Sequence, residues 1–325
     1  MPHKHLFARL FLTACTATYA LAGHAASSYP DRPIRLIVTS SPGSGLDAMA
    51  RTISGDMGTA LKQSIVVENK AGAAGIVGTR EIVAATPDGY TVGLVSSNHA
   101  VNPSLNKSLP YDSVKDITPI TVLGTVPLVL AVPAKSPYKT VQELVAAAKK
   151  EPNTLNYGTS GNGSALHLAA LLLESKADID MMHVPYKGGS ALVTDLISGQ
   201  IDAAFLAIPT AYAQVKAGSI KALGVSSTKR LDLLPETPTL IEAGIAGYEY
   251  VPWIGLIGPA GLDKNVTDLL YKTALDVLAL PKIKESFKAQ GLTPEGSTSD
   301  VFQKIIKNDI DLNAKLIKQA GIEPS

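Results

Sequence analysis

Cysteine is almost missing. The one thiol, Cys15, lies in the first apolar stretch, so a chain cleaved after that stretch has no disulfide, no thiolate nucleophile and no Cys metal site. An excess of one charge is missing too: 29 Lys and Arg face 28 Asp and Glu, a net charge of +1. Binding to nucleic acid requires clustered cations against the phosphates, and this balance excludes it. No G-x-x-x-x-G-K-[ST] loop, G-x-S-x-G elbow or H-E-x-x-H pair occurs, which removes the motif-level grounds for a P-loop enzyme, a serine hydrolase or a metal centre. No cofactor is expected. What is present is apolar material, 46% of residues against 18% charged, enough for a sizeable core in one large domain or two medium ones.

The first nine residues are short and basic, and LFLTACTATYALA (residues 10–22) has the length of a secretory h-region. Ala20 and Ala22, or Gly23 and Ala25, supply small residues for cleavage, the second pair giving a mature start at Ala26. Losing Lys4 and Arg9 leaves 27 basic against 28 acidic residues, a nearly neutral exported protein. Leu12–Cys15 resembles a lipoprotein box, but the run before it is short and interrupted by Arg9, so plain secretion is expected rather than lipid anchoring at Cys15.

Short Val/Ile-rich runs such as IRLIVT, SIVVEN, TVGLVSS and IDAAFLAI alternate with helix-like segments. This pattern predicts βαβ units, a parallel sheet and helices on both faces. Two stretches read as crossings between lobes: GTVPLV near Val126 and IEAGIAGYEYVPW near Gly247. The expected units are a signal peptide at 1–25, a first lobe from 26–126 plus 248–325, and a second lobe at 127–247.

Ligands of open α/β sheets sit beyond the carboxyl ends of the strands. There the chain places SSPGSGLD, SSNHAVN, GTSGNGSALH and KGGSAL. Small residues and bare amides before a helix make an anion cradle without a cation. The strongest candidates are the amides around Gly43, Gly45, Gly161 and Gly163, with the hydroxyls of Ser41, Ser44, Ser160 and Ser164 assisting. Asn162 lies in the same loop, and Asn98, Lys187 and Gly188 are candidates for the rim. Facing each other across a cleft, the two loops would clamp one small anion. Gly43-Ser44-Gly45-Leu46-Asp47-Ala48 also fits the dinucleotide pattern G-x-G-x-x-A, with Glu68 at the end of the next strand. Pro42 and the negative charge of Asp47 at the helix start count against a pyrophosphate there. Ser136-Pro137-Tyr138-Lys139 matches S-x-x-K without its partner motifs. Trp253 and Tyr250 are expected to pack or to line a hinge.

At these loops the chain resembles the substrate-binding receptors of tripartite tricarboxylate transporters, the Bug receptors. The resemblance rests on YPDRPIRLIV, PG-x-x-x-D-x-x-AR (42–51), VENKAGAAGIVGT, TPDGYT, NPSL with LPYD, YGTSGNGSALHLA, HVPYKGGSAL-x-x-DLISGQID and LPETPTLIEAG, in order along nearly the whole mature chain. It implies a two-lobed, hinge-bending periplasmic binding protein of type II topology. It also implies a carboxylate held by backbone amides and water, membrane transporter subunits as partners, and a monomer. Carried across, the motif adds Pro42 and Asp47 to the first loop. An ionised Asp47 cannot hold a carboxylate directly; it would cap its helix or accept from a ligand donor or a water. Thr39-Ser40-Ser41, Ser44, Asn106 and Leu171 depart from the family pattern, so a shifted ligand preference is expected. An exported enzyme acting on a carboxylate, or a sensor subunit binding the same acid, are the alternatives.

Overall fold

A computed structural model describes residues 29–324; the expected signal peptide, its cleavage site and Cys15 lie outside the described residues. The chain begins with β1 (Ile34–Val38), α1 (Gly45–Leu61), β2 (Ile65–Asn69), α2 (Ile76–Val83), β3 (Thr91–Ser96), α3 (Asn98–Leu105) and β4 (Ile117–Thr125). It then crosses to β5 (Leu128–Pro133), α4 (Val141–Lys150), β6 (Asn156–Thr159), α5 (Ala165–Ala177), β7 (Met182–Pro185), α6 (Gly189–Ser198), β8 (Ala203–Ala207), α7 (Ile208–Lys216) and β9 (Ile220–Val225). It returns through β10 (Trp253–Pro259), α8 (Lys264–Leu278), α9 (Pro281–Ala289), β11 (Thr293–Pro294) and α10 (Ser299–Gln319).

Local chemistry explains the boundaries. Thr140 and Glu143 close a reciprocal capping box at the start of α4, each side chain satisfying an amide of the other residue. Lys62 and Asp178 stop α1 and α5 in the left-handed region, at φ 55° and 53°. The IRLIV run of β1 is buried almost throughout, as a central strand covered on both faces requires.

The strands form two sheets, ordered β11-β4-β10-β3-β1-β2 and β7-β6-β8-β5-β9. Neither is wholly parallel, which corrects the sequence expectation. β1 runs parallel to β2 and β3, but β10 is antiparallel to β3 and β4. In the second sheet β6 is parallel to β7 and β8, while β5 is antiparallel to β8 and β9. The cause is the crossing itself. A strand arriving from the other lobe enters its sheet at the end where the local strands finish, so Trp253 pairs with Thr125 and Ile254 with Ser96.

Helices cover both faces of each sheet. α1, α8 and α9 pack on one side of the first around Met49, Leu94, Leu270 and Phe287, and α10 on the other around Phe302 and Ile306. α4 and α5 cover one face of the second sheet, α6 and α7 the other. The two crossings lie side by side, the Val126 amide donating to the Pro252 carbonyl at 2.7 Å. α10 spans both lobes: its start bonds to β4 through Ser299 Oγ and the Pro119 carbonyl (2.6 Å), and its end buries Leu316 and Ile317 in the second-lobe core. Among the described residues no helix is long and apolar enough to cross a membrane.

Candidate functional site: an interlobe cleft built from helix N-termini

A cleft of about 960 Å³ lies between the sheets. Five helices present their first turns to it: α1 with Gly45 and Leu46, α3 with Asn98, α5 with Ala165 and Leu166, α6 with Gly189 and Ser190, and α7 with Pro209 and Thr210. First-turn amides have no partner in their own helix, and the aligned peptide dipoles leave partial positive charge there. α3, α6 and α7 have no side-chain cap, so these ends are the least satisfied from within the chain. Trp253, Ile254 and Leu292 from the first lobe and Leu128, Leu192, Val193 and Leu206 from the second supply apolar wall. Among the described residues no Asp, Glu, Lys, Arg or His lines this cleft. A guest therefore meets amides, hydroxyls and hydrocarbon.

The two Gly/Ser loops share one construction. In the first, Ser44 caps α1, accepting from the Asp47 amide at 3.2 Å, and Asp47 reaches back to accept from the Gly43 amide at 2.9 Å. In the second, Ser164 caps α5, accepting from the His167 amide at 3.3 Å, and His167 Nδ1 accepts from the Gly163 amide at 3.1 Å. A serine cap with an acceptor three residues on thus closes each loop. Its sequence signal is the spacing S-x-x-D and S-x-x-H.

Asp47 is 4% exposed and saturated: besides Gly43, it accepts from Asn69 Nδ2 at 3.0 Å and from Arg51, whose Nε lies at 3.1 Å. Arg51 first, then Gly43 and Asn69, hold its carboxyl down to about 2. Asp47→Asn should cost about 2 kcal/mol at pH 7, the worth of hydrogen bonds to a charged acceptor. A lowered carboxyl pKa stabilises above the ordinary value of 3.8 and loses that stabilisation as pH falls toward 2. Denaturant melts at pH 7 and pH 3 should therefore show the gap between the two proteins shrinking in acid. A gap that widens at pH 3 contradicts this role.

Of the residues marked in the sequence, Gly45, Asn98 and Ser160 line the cleft. Gly43, Gly161 and Gly163 spend their amides inside the loops, on Asp47, Thr159 Oγ1 and His167. Ser44 and Ser164 spend their hydroxyls as caps. Asn162 faces a second cavity behind its loop. Ser41 and Lys187 are exposed outside the cleft lining, and Gly188 sits just before α6 as its cap. The loops thus shape the site, and the free donors stand one or two residues further on. The start of α7 also lines the cleft and carries no Gly/Ser loop; its sequence signal is Pro209 in the first turn, since proline suits a helix start. Ser190 of the KGGSAL loop lines the cleft as well.

Two lobes joined by adjacent crossings, each sheet ordered second, first, third, crossing strand, fourth, with the cleft between them, define a solute-binding receptor of type II topology. The chain belongs to the tripartite tricarboxylate transporter receptor family, described as "Tripartite tricarboxylate transporter family receptor", whose match spans residues 49–322. Solved structures agree. The periplasmic binding protein BugD is 32% identical, with 91% of this chain and all of that one covered at a TM-score of 0.72. Rpa4515 of R. palustris, solved with adipate, is 29% identical over 91% and 100% of the two chains at a TM-score of 0.75. MatC of Rhodopseudomonas palustris, with bound malate, is 26% identical over 89% and 100% at a TM-score of 0.71.

Proposed function

We propose that this protein is an exported receptor that captures a small organic acid in the cleft, closes on it, and delivers it to the membrane subunits of a tripartite tricarboxylate-type transporter. The observation that carries the reading is the convergence of five helix N-termini on a cleft that, among the described residues, has no ionisable side chain in its lining. Such a site neutralises an anion with fixed dipoles and leaves the guest chemically unchanged. Contacts to both lobes give the ligand a preference for the closed form, which is all that closure requires. Structures of relatives with adipate and malate support a carboxylate as the guest. The first-lobe amides at Gly45 and Asn98 and the second-lobe groups at Ser160, Ala165, Ser190 and Thr210 are the proposed contacts. The apolar wall favours an acid with a methylene body over a short hydroxylated one.

Trp253, the single tryptophan, lines the cleft, so its emission should respond to a bound guest. Fluorescence titration with adipate and malate should show binding of both, adipate more tightly, and recovery of each unchanged. Gly45→Leu tests the place. A Cβ at Gly45 meets nothing within 4 Å, so the variant should fold normally. Its side chain fills the cleft beside the α1 amides and should weaken binding about a hundredfold, or about 2.7 kcal/mol. Equal affinity in both proteins moves the site elsewhere; consumption of the acid returns the enzyme alternative.

A further inference from the structure

The loop that carries Ser160 into the cleft is held from behind by two imidazoles. His167 Nδ1 accepts the Gly163 amide at 3.1 Å. His183 Nε2 lies 2.6 Å from Thr159 Oγ1, and the same hydroxyl accepts the Gly161 amide at 3.2 Å. The two rings stack with centroids 3.8 Å apart and planes 11° from parallel. A second cavity of about 860 Å³ opens behind them. Asn162, His167 and His183 line that cavity, while Ser160, Ala165 and Leu166 line the ligand cleft. The loop is thus a partition, with the guest on one face and the histidines on the other.

The hydrogen-bond chemistry admits one protonation state. An amide only donates, so Nδ1 of His167 must carry a lone pair, and its proton sits on Nε2. Protonating Nδ1 would set one donor against another and eject the Gly163 amide. It would also place a cation face to face with the ring of His183.

We propose that His167 and His183 are a positioning pair that fixes the second-lobe ligand loop, and that protons entering through the rear cavity release the loop and lower affinity for the acid. The link to affinity rests on the carboxylate reading above; the link to the loop does not. The titratable groups facing the pair across the cavity are Tyr157 from β6, Glu174 from α5, Asp178 at its end, Asp180 and Glu323. Glu174 is raised to about 7 by burial and receives the Tyr157 hydroxyl at 3.2 Å, so near neutrality it lends the pair less than a full negative charge. Burial, and then the neighbouring His183, pull His167 down to about 4; burial lowers His183 as well. The folded loop therefore holds the neutral pair. As pH falls below the ordinary histidine value of 6.5 toward 4, proton uptake works against the ordered loop.

Three proteins test this: wild type, His167→Asn and His167→Leu. Asn keeps an acceptor near the Nδ1 position and does not titrate; Leu keeps bulk and removes the acceptor. Two readouts are used between about pH 3.5 and 8, a window that spans the His167 titration: Trp253 fluorescence titration with adipate and malate, and the ¹⁵N amide signals of Gly161 and Gly163 without ligand. In wild type, affinity should fall about tenfold on acidification, the worth of one hydrogen bond, and the Gly163 signal should move in the same window. His167→Asn should bind about as wild type does at pH 7 with a flatter pH profile. His167→Leu should bind about tenfold more weakly at pH 7. Protonation of the acid itself is common to all three proteins and cancels in the comparison. Identical profiles for wild type and His167→Asn overturn the proposal, even if His167→Leu fails to fold. If neither acid binds wild type, the carboxylate reading fails by itself, and Gly161 and Gly163 signals that ignore pH still overturn the pair's role.

Discussion

Phe302→Ala should lower the unfolding free energy by about 4 kcal/mol, near the top of what one substitution costs. The ring is fully buried between α10 and the first sheet. It meets Trp253 edge to face, centroids 5.0 Å apart and planes at 86°. Gly255 of β10 lies under it, where a Cβ would come within 2.1 Å of the ring. A glycine floor means that the hole left by the ring is bounded by backbone, which cannot collapse to fill it. The loss thus combines lost transfer free energy with a persistent cavity. Thermal melting should fall by about 6 °C in a chain of this size. Trp253, left without its ring partner, should change its emission even without ligand. A loss below about 1 kcal/mol would mean that α10 does not pack as described.

The second large effect is on binding and opposes the effect on stability. Ser190 is exposed in the first turn of α6, a helix with no side-chain cap and no acidic residue at its start. An aspartate there complements the helix dipole, so Ser190→Asp should leave the fold as stable or more stable by about 0.5 kcal/mol. The same carboxylate would project into the cleft. Against a bound carboxylate, two like charges about 4–5 Å apart repel by about 4 kcal/mol at the effective dielectric of a protein surface. Affinity for adipate and malate should fall at least about a hundredfold, while the melting temperature holds or rises. Ser190→Ala, which adds no charge, should bind within a fewfold of wild type. Loss of binding in both variants would assign the effect to the hydroxyl instead of to charge, and unchanged binding in Ser190→Asp would remove α6 from the site.

Much of this protein is written locally. The alternation of apolar runs and amphipathic segments carries its strands and helices, and the Thr140/Glu143 box and the serine caps carry helix starts. Gly/Ser loops after strands point to a candidate anion site, and the lack of thiols and of excess charge narrows its chemistry, because each depends on residues within a few positions of one another or on composition alone. Tertiary structure decided which donors remain for a guest. Gly43 and Gly163 look available in the sequence, yet their amides turn inward to Asp47 and His167, and the free amides belong to helix starts brought together from both lobes. The direction of the crossing strands was also decided there, since it depends on where the chain re-enters each sheet. Trp253 reaches the cleft because β10 returns beside β3, the Ser97 amide donating to the Trp253 carbonyl at 2.9 Å across more than a hundred residues of intervening chain. The stacked histidines come from α5 and β7, and only their shared approach to one loop gives two ordinary side chains a joint role. Hydrogen bonds close to the chain's own path are encoded in spacing; convergence of distant segments follows from burying two sheets under their helices, which no window of sequence contains.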